Sequence, residues 1–63
     1  MNNNEMFSQY KDIVTVDEVM EMLRLGKNSI YNLLKEGRIE SLRVGTRYVI
    51  PKKNVIKFIN EQI

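Results

Sequence analysis

In the stretch Thr15-Val16-Asp17-Glu18-Val19-Met20-Glu21-Met22-Leu23, then Arg24-Leu25-Gly26, then Lys27-Asn28-Ser29-Ile30-Tyr31-Asn32-Leu33-Leu34-Lys35-Glu36-Gly37, two helical patterns stand three residues apart. Thr15 and Glu18 have the spacing of a capping box, in which the Thr15 hydroxyl accepts the Glu18 amide and the Glu18 carboxylate returns to the cap amide. Val14 and Val19 fit the accompanying hydrophobic staple. Val16, Val19, Met20 and Leu23 then recur at helical spacing, which predicts an amphipathic helix to about Leu23 with Asp17 and Glu21 outward. The acidic first turn suits the helix dipole. In the second pattern Ile30, Leu33 and Leu34 form the expected buried stripe, with Gly26 as N-cap and Gly37 as the left-handed stop. Its other face carries Lys27, Asn28, Tyr31, Asn32 and Lys35, a polar set that a purely structural helix does not need. Two short helices joined by a three-residue turn are the outline of a helix-turn-helix.

Downstream, residues 39–50 are rich in β-branched side chains and are interrupted at Gly45-Thr46-Arg47, which predicts a hairpin. A two-residue loop would put Arg47 on the same face as Leu42 and Val44. A three-residue loop pairs Val44 with Tyr48 and Leu42 with Ile50, gathering four apolar side chains on one face and sending Arg43 and Val49 outward, and this register is the expected one. Pro51 suits a strand end or a first helical turn, and Val55, Ile56, Ile59 and Ile63 define a closing helix with Phe58 at its edge. Upstream, Asn2 to Asn4 suggest a flexible tail, and the spacing of Met6, Phe7 and Tyr10 suits one side of a short helical turn. The expected organisation is a flexible or weakly helical segment over residues 1–11 and one folded domain over residues 12–63.

A chain of 63 residues has room for one small domain, because a chain of this size buries only about 60% of its unfolded surface. At 43% apolar and 29% charged it has the composition of an ordinary globular protein. The absence of cysteine and histidine removes disulfides and the usual zinc, copper and haem ligands, so neither a metal site nor a cofactor is expected. No apolar run approaches the length needed to cross a bilayer, and the start of the chain lacks the features of a signal peptide, so a cytoplasmic protein with no membrane partner is the expectation. Nucleophilic or acid–base catalysis has no candidate: Ser29 and Ser41 lack a base, and the three glycines are too far apart for a phosphate loop.

The net charge of +2 conceals a segregation. Residues 1–23 sum to −4, whereas residues 24–57 sum to +7. A segregated basic stretch is the footprint of a polyanion binder.

Taken in order, T-V-D-E-V-M-E-M-L, N-S-I-Y-N-L-L-K-E-G-R-I and L-R-V-G-T-R-Y-V-I-P resemble the DNA-binding domain of the excisionase family, small winged helix-turn-helix proteins related to MerR. The resemblance covers residues 13–60 and implies an α+β fold of helix-turn-helix, β-hairpin wing and C-terminal helix. It further implies that the second helix enters a major groove of double-stranded DNA while the wing lies along the backbone or an adjacent minor groove. On that pattern Lys27, Asn28, Ser29, Tyr31 and Asn32 occupy the recognition surface, Arg47 the basic position of the wing, and Thr46 a position where many members have another basic residue. Three residues depart from it. Arg24 stands where glycine is usual, which implies a left-handed backbone at a cost of roughly 1 kcal/mol. Gly26 replaces a serine cap, and Met20 replaces an alanine where the helices cross.

Phosphates can be met by Lys27, Lys35, Arg43 and Arg47, with Arg38, Lys52 and Lys53 as further cations. Asn28 and Asn32 can each bond an adenine edge bidentately, and Lys27 can reach guanine acceptors. The function expected is sequence-specific DNA binding by an excisionase, or recombination directionality factor, of a mobile element. Such a protein acts architecturally at the nucleoid with an integrase, and its small footprint calls for self-association on DNA. Two alternatives stay open: a small MerR-like transcriptional regulator without an effector domain, and a protein interaction module on the same fold.

Overall fold

The computed structural model describes residues 7–62. In chain order the elements are β1 (Ile13–Val14), α1 (Val16–Leu23), α2 (Lys27–Lys35), β2 (Leu42–Val44), β3 (Arg47–Pro51) and α3 (Lys52–Glu61). This is the expected α+β winged helix-turn-helix, with one strand more than the sequence suggested. Met6, the Asn2 to Asn4 run and Ile63 lie outside the described residues.

Helix α1 starts where the capping box places it. The Thr15 hydroxyl accepts the Glu18 amide at 3.1 Å, and Glu18 Oε1 accepts the Thr15 amide at 2.9 Å. Its inward pair is Val19 and Met22, with Val16, Met20 and Leu23 half-buried beside them, so the stripe is centred one step away from the one expected. Both helices of the motif end alike. Leu25 donates to the Met20 carbonyl across a left-handed Arg24 (φ 56°), and Arg38 donates to the Leu33 carbonyl across a left-handed Gly37 (φ 75°). These six-to-one bonds are Schellman closures, for which glycine is the usual residue; Arg24 adopts the conformation despite its Cβ.

The sheet is antiparallel with strand order β1-β3-β2, and the unforeseen strand β1 pairs Val14 with Ile50 and Ile13 with Pro51. The expected hairpin register is overturned. Val44 pairs with Arg47, Arg43 with Tyr48 and Leu42 with Val49, so the loop is the two residues Gly45-Thr46. Gly45 sits at φ 62° while Thr46 stays at negative φ, the arrangement of a II′ turn, whose twist matches the flanking strands. Val14 and Ile50 are both buried, which fixes the inner face of β3; alternation then turns Tyr48 inward and Val49 outward. Turn geometry therefore outweighs apolar grouping, and Leu42 and Val44 are left 68% and 60% exposed.

The core is Val14, Val19, Met22, Ile30, Leu34, Ile39, Ile50, Val55 and Ile56, drawn from every element except β2 and joined by Ile39 from the connecting segment. Pro51 ends β3 and caps α3 in extended conformation. Phe7 and Tyr10 pack on the core from outside as a single turn rather than a helical one, because Phe7 takes a φ of 57°. That turn is latched by Lys52, whose ammonium donates to the Tyr10 and Phe7 carbonyls at 2.9 and 3.4 Å. No helix among the described residues is long and apolar enough to cross a membrane.

Candidate nucleic-acid interface

Buried Ile30 and Leu34 anchor α2, and helical geometry turns the remaining side chains into two stripes. Asn28, Asn32 and Lys35 form one; Lys27 and Tyr31 form the other, nearer the wing. Lys27, Asn28, Ser29, Asn32 and Lys35 are exposed, and Tyr31 is half-buried. The Gly26 cap contributes no side-chain bond, so the first-turn N–H groups and the positive end of the helix dipole are not closed off by a cap side chain.

The wing is brought to this helix by aromatic contact. Tyr31 and Tyr48 lie with ring centroids 5.8 Å apart, and the Arg43 guanidinium sits over the Tyr48 ring at 5.4 Å. Arg43, Tyr48 and Tyr31 thus form a chain of contacts, with the two rings tilted at 56°, that ties the hairpin to α2. Between the two elements runs an open groove of about 290 Å³ lined by Lys27, Tyr31, Thr46 and Arg47, with Tyr48 and the start of α1 completing it. Four of the anticipated residues therefore converge on one concavity. Asn28, Ser29, Asn32 and Lys35 lie on α2 beyond its lining, and Arg43 acts as a prop for the wing.

The basic residues divide by what they already hold. Lys52 latches the N-terminal turn, Lys57 pairs with Glu40 at 3.8 Å, and Arg38 lies over the Phe58 ring at 5.5 Å with its Nη2 donating to Gln62 at 3.5 Å. These three already have partners within the fold. Among the described residues no internal hydrogen bond or ion pair engages the side chains of Lys27, Lys35 or Arg47. Of these, Lys27 and Arg47 line the groove, so both are available to a polyanion there.

Thr15, Val16 and Asp17 also line the groove, which the sequence did not signal. Their helix start was legible; that it lands beside the wing depends on the crossing of α1 and α2 and on β1 pairing with β3. Asp17 places one carboxylate among the groove's cations, setting a local limit on indiscriminate phosphate attraction. No cluster of potential metal-ligating side chains occurs among the described residues.

Comparison with known proteins supplies two findings. The family described as "Helix-turn-helix domain" matches residues 13–63. An excisionase from Streptomyces ambofaciens is 31% identical over 52 residues, a match covering 82% of this chain and 84% of that protein. No solved structure matches the chain significantly.

Proposed function

The chain belongs to the excisionase-type helix-turn-helix family and is a small DNA-binding protein of that kind, and from that premise we propose that it works architecturally, as a recombination directionality factor beside an integrase. α2 enters the major groove and the Gly45-Thr46 tip follows the adjacent backbone or minor groove. Lys27, Lys35 and Arg47 take phosphates, Asn28 and Asn32 read base edges, and Ser29, Tyr31 and Thr46 offer hydroxyls to the backbone. The role involves no bond-making step and belongs to the cytoplasm, at the nucleoid. Because one such domain spans few base pairs, several copies act together on a site.

The observation that carries this reading is the convergence of Lys27, Tyr31, Thr46 and Arg47 on one groove between helix and wing. Selection from a randomised duplex library at near-physiological salt tests it, with the Lys27→Glu, Arg47→Glu double variant as control. The expected result is an enriched motif that the folded variant no longer selects. An unchanged motif from the variant would remove the groove from the interface. Stimulation of excision on a supercoiled attachment-site substrate, with and without added integrase, tests the architectural role separately.

A further inference from the structure

Of the four exposed large apolar side chains among the described residues, Leu42, Val44 and Ile13 stand on the outer face of the sheet. Strand alternation adds Val49 and Pro51 to that face. It looks away from the core, and of its residues the DNA reading above uses only Arg47, which pairs with Val44 at the tip. Strand β2 is moreover an edge: the order β1-β3-β2 leaves its far side without a partner strand among the described residues.

The edge has a chemical pattern. Leu42 and Val44 present apolar side chains on the outer face, and Arg43 presents a cation on the inner face between them. A strand added alongside would set its side chains directly opposite these three, where unlike charges attract and like charges repel. A second copy of β2 is disfavoured, because antiparallel pairing about the centre of the strand would bring Arg43 against Arg43. The complementary occupant has apolar, acidic and apolar side chains in alternation.

The geometry points to β2 as a docking edge for an extended segment of another protein, one that alternates apolar and acidic residues. Main-chain hydrogen bonds to the edge would supply affinity, and the Leu42-Arg43-Val44 pattern would supply selectivity. Lys53 lies beside Ile13 and Pro51, but Asp12 and Glu40 border the same face, so the preference for an acidic partner rests on Arg43. This goes beyond the DNA-binding role and does not rest on it.

Display selection of random linear peptides on the immobilised full chain tests the proposal, with the Leu42→Thr, Val44→Thr variant as counter-target. Both positions are exposed and threonine suits a strand, so the fold is kept; Val44→Thr alone is the second variant. Selected peptides are expected to alternate apolar and acidic residues, to slow amide exchange at residues 42–44, and to bind the double variant about tenfold more weakly. The affinity of the variant for DNA is expected to stay unchanged, which separates this test from that of the DNA reading. Peptides without carboxylates, or peptides that bind the variant equally well, would overturn the proposal. So would sedimentation showing a dimer of the free chain that the variant dissolves, since a second copy would then hold the edge.

Discussion

Arg24 carries a backbone conformation that L side chains avoid, at a φ of 56° and ψ of 43°. The Schellman closure requires that conformation, and only glycine adopts it without strain. Arg24→Gly is expected to stabilise the protein by about 0.5–1 kcal/mol, the relief of strain less the extra freedom of glycine in the unfolded chain. Thermal unfolding checks it, and a melting point that stays put or falls would show that the arginine side chain compensates. Tyr10 sits at a second sensitive point. Burial and the hydrogen bond from its hydroxyl to Glu21 at 3.1 Å raise its pKa above the ordinary 10.0. The folded state therefore favours the protonated phenol. Its contribution is complete below the unfolded pKa and is lost as pH rises through the higher folded one. Phenolate absorbance should show one tyrosine titrating late in the folded protein, and Tyr10→Phe should remove that component.

Among the elements, the two helices were the most legible in the sequence, and the reason is local. Thr15, Glu18 and Gly37 each act within one turn of their own position, so their roles follow from spacing alone. β1 escaped notice because two residues carry no periodicity; Ile13 and Val14 become a strand only when β3 lies beside them. The hairpin is legible but its register is not, because apolar grouping favours Leu42, Val44, Tyr48 and Ile50 on one face while the turn at Gly45 dictates otherwise. Of the groove between helix and wing, Lys27, Tyr31, Thr46 and Arg47 could be named from the sequence, whereas the presence of Thr15 to Asp17 in its lining depends on tertiary packing. A Cβ at Gly45 would meet nothing within 4 Å, so Gly45→Ala strains only the turn. A loss of about 1 kcal/mol is expected, concentrated in the wing, with weaker DNA binding at a temperature where the helices remain intact. Circular dichroism and a binding titration on the same sample check both parts, and full affinity in the variant would detach the wing from DNA recognition.

Across the whole molecule, the lysines fall into two populations that one experiment can separate. Lys27→Met should lower the slope of log affinity against log salt by about 1, as one phosphate contact is lost. Lys52→Met should leave that slope unchanged and instead free the Phe7 to Tyr10 turn, visible as faster proteolysis there. The reverse pattern would exchange their roles. A slope insensitive to both would point to DNA contacts elsewhere.

The contacts of Arg43 with Tyr48 and of Tyr48 with Tyr31 tie helix and hairpin together, and on the proposed docking the pair acts as the two jaws of a caliper. A caliper measures distance as well as recognising what it touches. Inserting one base pair between the segments met by the two jaws moves them apart by about 3.4 Å along the duplex and rotates one around the other, and a locked tool cannot follow. On the proposed docking, the length of the recognised site is thereby part of its specification, set by two tyrosine rings to which that proposal gives no base contact.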